Sequence, residues 1–355
     1  MTPFNYQAKD FDIYIGNDVD KKSFSLTIRD RCNALMTRKI PAQPEQLSHF
    51  ITNHFGGKRV VVGYESGPTG FGLYDYLTSQ HQACVMIPAS SVPRASGQRV
   101  KTNRIDSAKL ASMLCDGQFN EVRIPQGGYR ELRNLVTMRE NYVQDARVAK
   151  QRIKALLLYN GLHENCREIN QNWSNGYLQY LHGIECTAAV RLRLDVLLED
   201  LDYGRGRILK VIKELKEFCK SHAEIGQYVG YLRSIPGIGF VTATSVLGRI
   251  GDPQYLRHLR ELPAFVGIVP REHSTGEQCH RGPITHMGNG RLRSLLMEAA
   301  WVAIKYDHEL EQFYHRIKKN HHASFGARKA IVAVAHKLTL RIYKVLKERR
   351  EYIVR

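Results

Sequence analysis

Polar and apolar residues alternate over much of the first third of the chain, and this period of two is typical of β-strands. Longer stretches with apolar residues three or four apart indicate helices between the later strands. The predicted elements, in chain order, are strands at 12–19, 23–29 and 34–40, a helix at 44–55, a strand at 59–65, a helix at 70–80, a strand at 83–87 and a helix at 101–114. This order predicts a mixed α/β domain whose central strands are buried.

Carboxylates and one amide mark three of these elements. Asp18 lies near the end of the first strand, Glu65 ends the fourth, and Asn103 and Asp106 lie three residues apart at the start of the last helix. Asp18 and Glu65 come together only if their strands are neighbours, as they are in a ribonuclease-H-like sheet. Clustered oxygen ligands favour Mg²⁺, and two such ions about 4 Å apart clamp the oxygens of a phosphodiester. The alternative is a set of solvated strand ends, with Asn103 as a helix cap.

Two long segments, 129–159 and 187–221, have the composition of helices and carry an apolar residue at every seventh position, which is typical of a coiled-coil seam. Gly204 and Gly206 interrupt the second segment and predict a kink or break there. The region between the segments, 162–183, is polar and predicted to be irregular. The two helices form either a hairpin that packs only on itself or a dimerisation arm with a nucleic-acid-facing side, and their basic charge favours the arm.

The sequence Pro236-Gly-Ile-Gly239, followed by an apolar helix, predicts a helix-hairpin-helix-like module. Gly237 and Gly239 permit a tight turn, and the free N–H groups at the start of the following helix can accept a phosphate. A simple turn between two helices is the alternative. Further helices are predicted at 291–303 and 327–345, and a frayed, charged end at 344–355.

A single serine, Ser274, lies among small, polar and basic residues between the predicted helices. Arginines around it would stabilise the charge of a pentavalent phosphorus. The same residues would also suit an ordinary mobile loop.

The formal net charge is +18 over 355 residues, spread over most of the chain. A charge of this size indicates a polyanionic partner, and nucleic acid is the first candidate; a basic but inert surface is the alternative. The predicted nucleic-acid-binding residues are Lys101, Arg104, Arg139, Arg147, Lys150, Lys154, Gly237, Gly239, Arg271, Arg281, Arg291 and Arg293.

Seven scattered cysteines without C-x-x-C spacing indicate reduced thiols and a cytoplasmic setting. The sequence has neither a signal-peptide pattern nor an apolar run of membrane-spanning length, so we expect no membrane partner.

Three motifs of the first domain carry a family resemblance: Gly16-Asn-Asp-Val-Asp-Lys21, Gly63-Tyr-Glu-Ser-Gly67 and Lys101-Thr-Asn-Arg-Ile-Asp-Ser-Ala108. They resemble the amino-terminal domain of DEDD transposases of the insertion-sequence family one-hundred-and-ten, which is related to the Piv-type DNA invertases. The resemblance implies a resolvase-like fold in which Asp18, Glu65, Asn103 and Asp106 bind Mg²⁺. Asn103 departs from the family pattern, which has an aspartate there, and the exchange removes one negative charge from the site.

The second half of the chain resembles the transposase domain of the same family at Gly267-Ile-Val-Pro270, Ser274-Thr-Gly276 and Gly288-Asn-Gly-Arg-Leu-Arg293. This resemblance implies that Ser274 is the nucleophile, acting with Asp18, Glu65 and Asp106.

The resemblance also implies an overall organisation. It comprises a ribonuclease-H-like domain at 1–125, a coiled-coil oligomerisation linker at 126–225, and a mainly α-helical transposase domain with the helix-hairpin-helix-like module at 226–355. The implied function is Mg²⁺-assisted DNA transposition through a serine–phosphate intermediate, guided by a bridge RNA that pairs with donor and target DNA. The implied assembly is a dimer or tetramer with composite active sites, associated with a prokaryotic nucleoid. The alternatives are a metal-dependent junction resolvase or nuclease and a catalytically weakened DNA-binding relative.

Overall fold

The computed structural model describes residues 6–92, 103–119, 121–162, 173–275, 278–320 and 323–354. The chain forms two compact units, Met1–Ile124 and Pro125–Arg355. The further division of the second unit at residue 225 stays a prediction.

The first unit is built on a five-stranded sheet in the order β3-β2-β1-β4-β5. Strand β1 is antiparallel to β2 and parallel to β4, β2 is antiparallel to β3, and β4 is parallel to β5. The strands are β1 (Ile13–Val19), β2 (Ser23–Arg29), β3 (Ala34–Pro41), β4 (Val60–Glu65) and β5 (Ala83–Ile87). The predicted mixed sheet is therefore confirmed, and its strand order is compatible with a ribonuclease-H-like domain.

Helices cover both faces of this sheet. Helices α1 (Pro44–Phe55) and α2 (Gly72–Ser79) pack on the face that carries Ile15 and Val62. Helix α3 (Asn103–Asp116) packs on the opposite face through Leu110 and Leu114, which are buried together with Tyr14 and Val61. Because both faces are covered, the central strands are apolar on both sides.

A pair of glycines brings α3 directly against the sheet backbone. Gly16 of β1 and Gly63 of β4 are partners in the parallel register. A Cβ atom on Gly16 would lie 2.1 Å from the Ser107 carbonyl oxygen and 2.3 Å from the Ala111 nitrogen. A Cβ atom on Gly63 would lie 2.8 Å from a Leu114 methyl group. The helix therefore occupies the space that side chains would fill at these two positions.

The second unit begins with two long antiparallel helices, α4 (Gly128–Tyr159) and α6 (Ala188–Ser221). Of the predicted kink or break in α6, the break is wrong, because the helix continues through Gly204 and Gly206, and the kink stays a prediction. A Cβ atom on Gly204 would lie 3.4 Å from Ala146 Cβ of α4, so the small residues permit close packing that offsets the low helix propensity of glycine.

The connection between these helices is more regular than predicted. It contains α5 (Asn175–Gly183), whose Tyr177 and Leu181 are buried against the hairpin. Ser174 caps α5 by accepting a hydrogen bond from the Tyr177 N–H.

The rest of the second unit packs helices around one core. The elements are α7 (Ala223–Arg233), α8 (Phe240–Ile250), α9 (Glu261–Val266), strands β6 (Pro270–Thr275) and β7 (Gln278–Ile284), α10 (Gly290–Tyr306), α11 (His308–Lys319) and α12 (Ala323–Glu348). The predicted frayed end is wrong over its described part. Helix α12 reaches Glu348, and the Tyr352 N–H then donates to Ser234 Oγ at 2.7 Å. No helix of the described residues is long and apolar enough to span a membrane.

The glycine contact makes a stability prediction. Gly16→Ala is expected to lower the free energy of unfolding by about 2 kcal/mol, because the added methyl group meets helix backbone that cannot rotate away. Gly63→Ala is expected to cost less, since it meets only the movable Leu114 side chain. Gly72→Ala, where nothing lies within 4 Å, is the control. Urea denaturation followed by circular dichroism measures all three, and equal stability of the Gly16 and Gly72 variants would contradict the direct helix–sheet contact.

Candidate active site

Two of the predicted acids lie at matching positions on neighbouring strands. Asn17 of β1 pairs with Tyr64 of β4, and Asp18 and Glu65 are the next residues of each strand. Side chains alternate along a strand, so both acids lie on the face of Gly16 and Gly63, which α3 covers. Both are half-buried.

Helix α3 brings the third acid to the same face. Ser107, whose carbonyl lies against Gly16, is fully buried, and its hydroxyl is 2.8 Å from Thr27 Oγ1 of β2. Asp106 precedes Ser107, its side chain is 18% exposed, and its carboxylate lies 4.0 Å from Lys109 Nζ. Asn103 is the first residue of α3, and its side chain is outside the described part of the structure, as is Lys101. Arg104, in the first turn, is exposed.

Oxygen donors of this kind suit Mg²⁺. Asp18, Glu65 and Asp106 come from two strand ends and the helix held against them, so they fit a divalent ion in donor type. Within the described ranges, no three acidic, histidine or cysteine side chains are grouped closely enough to form a metal site. Side-chain rotation would have to bring the carboxylates together, and like charges oppose that approach unless a cation lies between them.

A buried amide on the opposite face of β1 was missed from the sequence. Asn17 is fully buried, and neither its Oδ1 nor its Nδ2 has a hydrogen-bond partner among the residues described. Burying such a group costs about 1–3 kcal/mol, so Asn17 does not stabilise the strand that carries Asp18. The one sequence signal is a polar residue at an inward position of an otherwise apolar strand.

The predicted nucleophile lies on a two-stranded sheet. Ser274 of β6 pairs with Cys279 of β7 in an antiparallel register. The described residues of this segment are therefore paired strands rather than the loop considered as an alternative. The side chains of Ser274 and Arg281 lie outside the described part, so their contacts stay a prediction.

Three other predicted binding arginines near Ser274 have different positions. Arg271 is exposed, and its Nη2 donates weakly to the Thr285 carbonyl at 3.4 Å. Arg293 donates from Nη1 to the Val266 carbonyl at 2.8 Å, and so ties α10 to the end of α9. Arg291 is 51% exposed but ion-paired to Glu140 at 3.0 Å. Arg271 is thus the most available of the three for an external phosphate.

A buried carboxylate, also missed from the sequence, links three helices. Glu140 of α4, with a side chain only 6% exposed, accepts hydrogen bonds from Arg249 of α8 and Arg291 of α10. Its one carboxylate thereby connects the end of α8 to the first turn of α10. No sequence pattern marks it, because its partners lie more than a hundred residues away.

The predicted basic residues of α4 are divided between surface and interior. Arg147 and Lys154 are exposed. Arg139 is half-buried, and its Nε has no partner among the described residues; burial lowers the pKa of its guanidinium. Lys150 lies 5.4 Å from the ring centre of Trp173, and burial together with Arg205 and Lys154 lowers the pKa of its ammonium group. A nearby phosphate would offset the repulsion of the Lys150 ammonium group by Arg205 and Lys154.

The predicted glycine turn joins α7 to α8. Gly237 adopts a left-handed conformation with φ of +85°, and a Cβ atom there would lie 2.3 Å from the Ala299 carbonyl and 2.9 Å from the Ala303 nitrogen of α10. Gly239 precedes α8 and is exposed. Gly237 therefore serves packing, while Gly239, directly before α8, faces solvent.

With this geometry in view, comparisons with known proteins identify the class. Residues 15–159 match the DEDD profile of IS110-type elements, described as "Transposase". Residues 229–315 match the profile described as "Transposase IS116/IS110/IS902 family". The acids of the first unit lie within the first match, and Ser274 lies within the second.

Individual relatives agree with the profiles. The chain is 32% identical to the "Putative transposase y4qE" of Sinorhizobium fredii (strain NBRC 101917 / NGR234) over 69% of this chain, and it spans 59% of that protein. It is 22% identical to the "Transposase for insertion sequence element IS1533" of Leptospira borgpetersenii over 94% of this chain and 95% of the relative. It is 28% identical to the "Pilin gene-inverting protein" of Moraxella bovis over 43% of this chain and 48% of that protein.

The two units thus match the two profiles of one class of protein, the DEDD transposases. The chain belongs to the IS110 family of transposases.

The three-helix bridge is testable by stability. Glu140→Ala is expected to lower the free energy of unfolding by about 3 kcal/mol, because it leaves the largely buried Arg249 without its carboxylate. Glu217→Ala, which removes an exposed pair with Lys220, is the control and is expected to cost less than about 1 kcal/mol. Chemical denaturation of the full chain measures both. Similar small losses would mean that Glu140 does not hold the helices together.

Proposed function

We propose that this transposase cuts and rejoins DNA through a covalent bond between Ser274 and a strand phosphate. The observation that carries the proposal is the placement of Asp18 and Glu65 at adjacent strand ends, under the helix that carries Asp106. A metal domain of this kind and a separate serine hairpin within one chain suit a reaction in which one domain activates the phosphodiester and the other attacks it.

In the proposed reaction, Ser274 Oγ forms a bond to phosphorus, and the bond from phosphorus to the leaving strand oxygen breaks. The serine proton passes to a base, and the leaving oxygen takes up a proton. Reversal of these steps with a different strand hydroxyl restores a phosphodiester and frees the serine. Exposed Arg271 lies on the same strand as Ser274 and is the cation that we propose to pair with the phosphate.

Asp18, Glu65 and Asp106 would hold Mg²⁺, with the amide oxygen of Asn103 as a neutral fourth ligand. When bound, one or two such ions would supply positive charge to the scissile phosphate. Three carboxylates carry less charge than the four acids of the family pattern, so a second ion is expected to bind weakly here.

The positive charge of the chain supports binding to donor and target DNA, and to a bridge RNA that pairs with both. Exposed cations on α4, including Arg147 and Lys154, and the open start of α8 at Gly239 offer contacts to backbone phosphates. We further propose that α4 and α6 form a coiled-coil arm that joins two or four copies, and that the α7–α8 turn acts as a helix-hairpin-helix module. Binding to chromosomal DNA would keep the protein at the nucleoid.

Covalent joining separates this function from its alternatives. Incubation with Mg²⁺ and DNA carrying the element's ends, followed by denaturation, is expected to leave protein attached to a strand. Ser274→Ala and Asp106→Ala are each expected to abolish the attachment while DNA binding survives, because neither change removes a positive charge that could bind a phosphate. Electrophoresis of labelled DNA under denaturing conditions detects the attached species. Cleavage without attachment would instead indicate a resolvase or nuclease in which Ser274 is structural.

Mixing the two inactive variants tests whether the site is shared between copies. If the acids of one copy serve the serine of another, a mixture of Ser274→Ala and Asp106→Ala contains some complete sites and regains attachment. If each copy uses its own residues, the mixture stays inactive. Ser294→Ala, which removes an exposed hydroxyl on α10, is the matched control and is expected to join DNA normally.

Asn103 makes a separate prediction about the metal. Asn103→Asp is expected to lower the Mg²⁺ concentration for half-maximal joining several-fold, because it restores a negative charge beside Asp106. Titration of joining against Mg²⁺ measures the shift, and Asp116→Asn at the far end of α3 is the control. A midpoint unchanged by Asn103→Asp would mean that position 103 is not a ligand.

A further inference from the structure

Helices α10 and α11 present an aromatic ring to solvent. Trp301 of α10 is 45% exposed. It contacts the buried ring of Tyr314 edge-on, with ring centroids 5.8 Å apart. Lys318 Nζ lies 5.9 Å from the centre of the Tyr314 ring, and the His315 ring lies 5.4 Å from it. We call Trp301, Tyr314, His315 and Lys318 the Trp301 platform.

Charge is divided along α11. The acids of its first turn, Glu309 and Glu311, already have basic partners. Its last turn carries exposed Arg316, Lys318 and Lys319. Cations at a helix carboxyl terminus favour the helix dipole, so the charge alone has a structural explanation. The dipole does not explain an exposed indole on the Tyr314 ring that Lys318 also approaches.

The ring is also held in place. Tyr314 is only 6% exposed and supports one edge of Trp301. An edge-on aromatic pair restrains the indole, so a planar ligand can stack on it with little loss of side-chain freedom.

We propose that the Trp301 platform binds an unpaired nucleotide, whose base stacks on Trp301 while Lys318 pairs with an adjacent phosphate. Stacking on an aromatic side chain accepts any base, and cations beside it follow the strand. The cations in the last turn of α11 favour a polyanion over a second copy of this basic chain. The inference rests on the proposed recombination, because strand exchange leaves nucleotides unpaired.

Intrinsic fluorescence tests the platform directly. The chain has two tryptophans, so Trp173→Phe leaves Trp301 as the only reporter. Single-stranded oligothymidylate is expected to quench the emission as it binds, and the corresponding duplex to quench it less at equal occupancy. Unchanged emission at saturating single strand would overturn the proposal. Emission that shifts with protein concentration alone would also overturn it, since the ring would then lie between copies.

Affinity measurements with fluorescently labelled single strand complete the test. Trp301→Leu is expected to weaken binding about tenfold, and Trp301→Phe to retain most of the affinity, because a ring for stacking remains. Tyr306→Leu, which removes a 71% exposed ring from the same helix, is the control and is expected to leave affinity unchanged. Wild-type affinity in Trp301→Leu would refute the platform.

The joining assay keeps the two proposals apart. Strand attachment by the otherwise wild-type Trp173→Phe protein without any quenching rejects the platform and leaves the serine reaction standing. Quenching without attachment supports the platform and rejects the serine reaction.

Discussion

The contact between helix α3 and the glycine pair Gly16 and Gly63 is the constraint on which the first unit depends. Because Gly16 has no side chain, the helix backbone rests on the sheet backbone there, and the Leu114 side chain fills the space above Gly63. This contact sets the height of α3 above the sheet, and therefore the height of Asp106 above Asp18 and Glu65. The interface between α3 and the sheet carries both the helix packing and the candidate metal ligands. A substitution that moves α3 away from the sheet therefore also moves Asp106 away from Asp18 and Glu65.

In the second unit, positive charge has two separate uses. Arg249, Arg291 and Arg293 are engaged within the protein, where they bind Glu140 or a helix carbonyl. Arg147 and Lys154 are exposed and have long, mobile side chains suited to phosphate. A net charge of +18 therefore overstates the number of cations available to nucleic acid.

The sequence was informative where neighbours along the chain decide the structure. Alternation located the strands, and acids at strand ends indicated the site, because parallel strands end at one edge. Prediction failed where distant residues decide. Gly204 suggested a break, yet packing on Ala146 keeps α6 whole. The partners of Glu140 are 109 and 151 residues away, beyond any local pattern. The role of Ser274 came from the family resemblance alone.

Helices α8 and α10 are fastened to each other at both ends. Gly237 lies against Ala299 and Ala303 beside the start of α8, while Arg249 near its end shares a carboxylate with Arg291. Rotation of one helix against the other would therefore disturb the packing at Gly237 or the ion pairs of Glu140. Helix α8 has 11 residues and is about 16 Å long. The start of α10 lies near the end of α8, so the first residues of the two helices are separated by about the length of α8. Ligand groups bound at the first turns of α8 and α10 would therefore be held at a fixed separation.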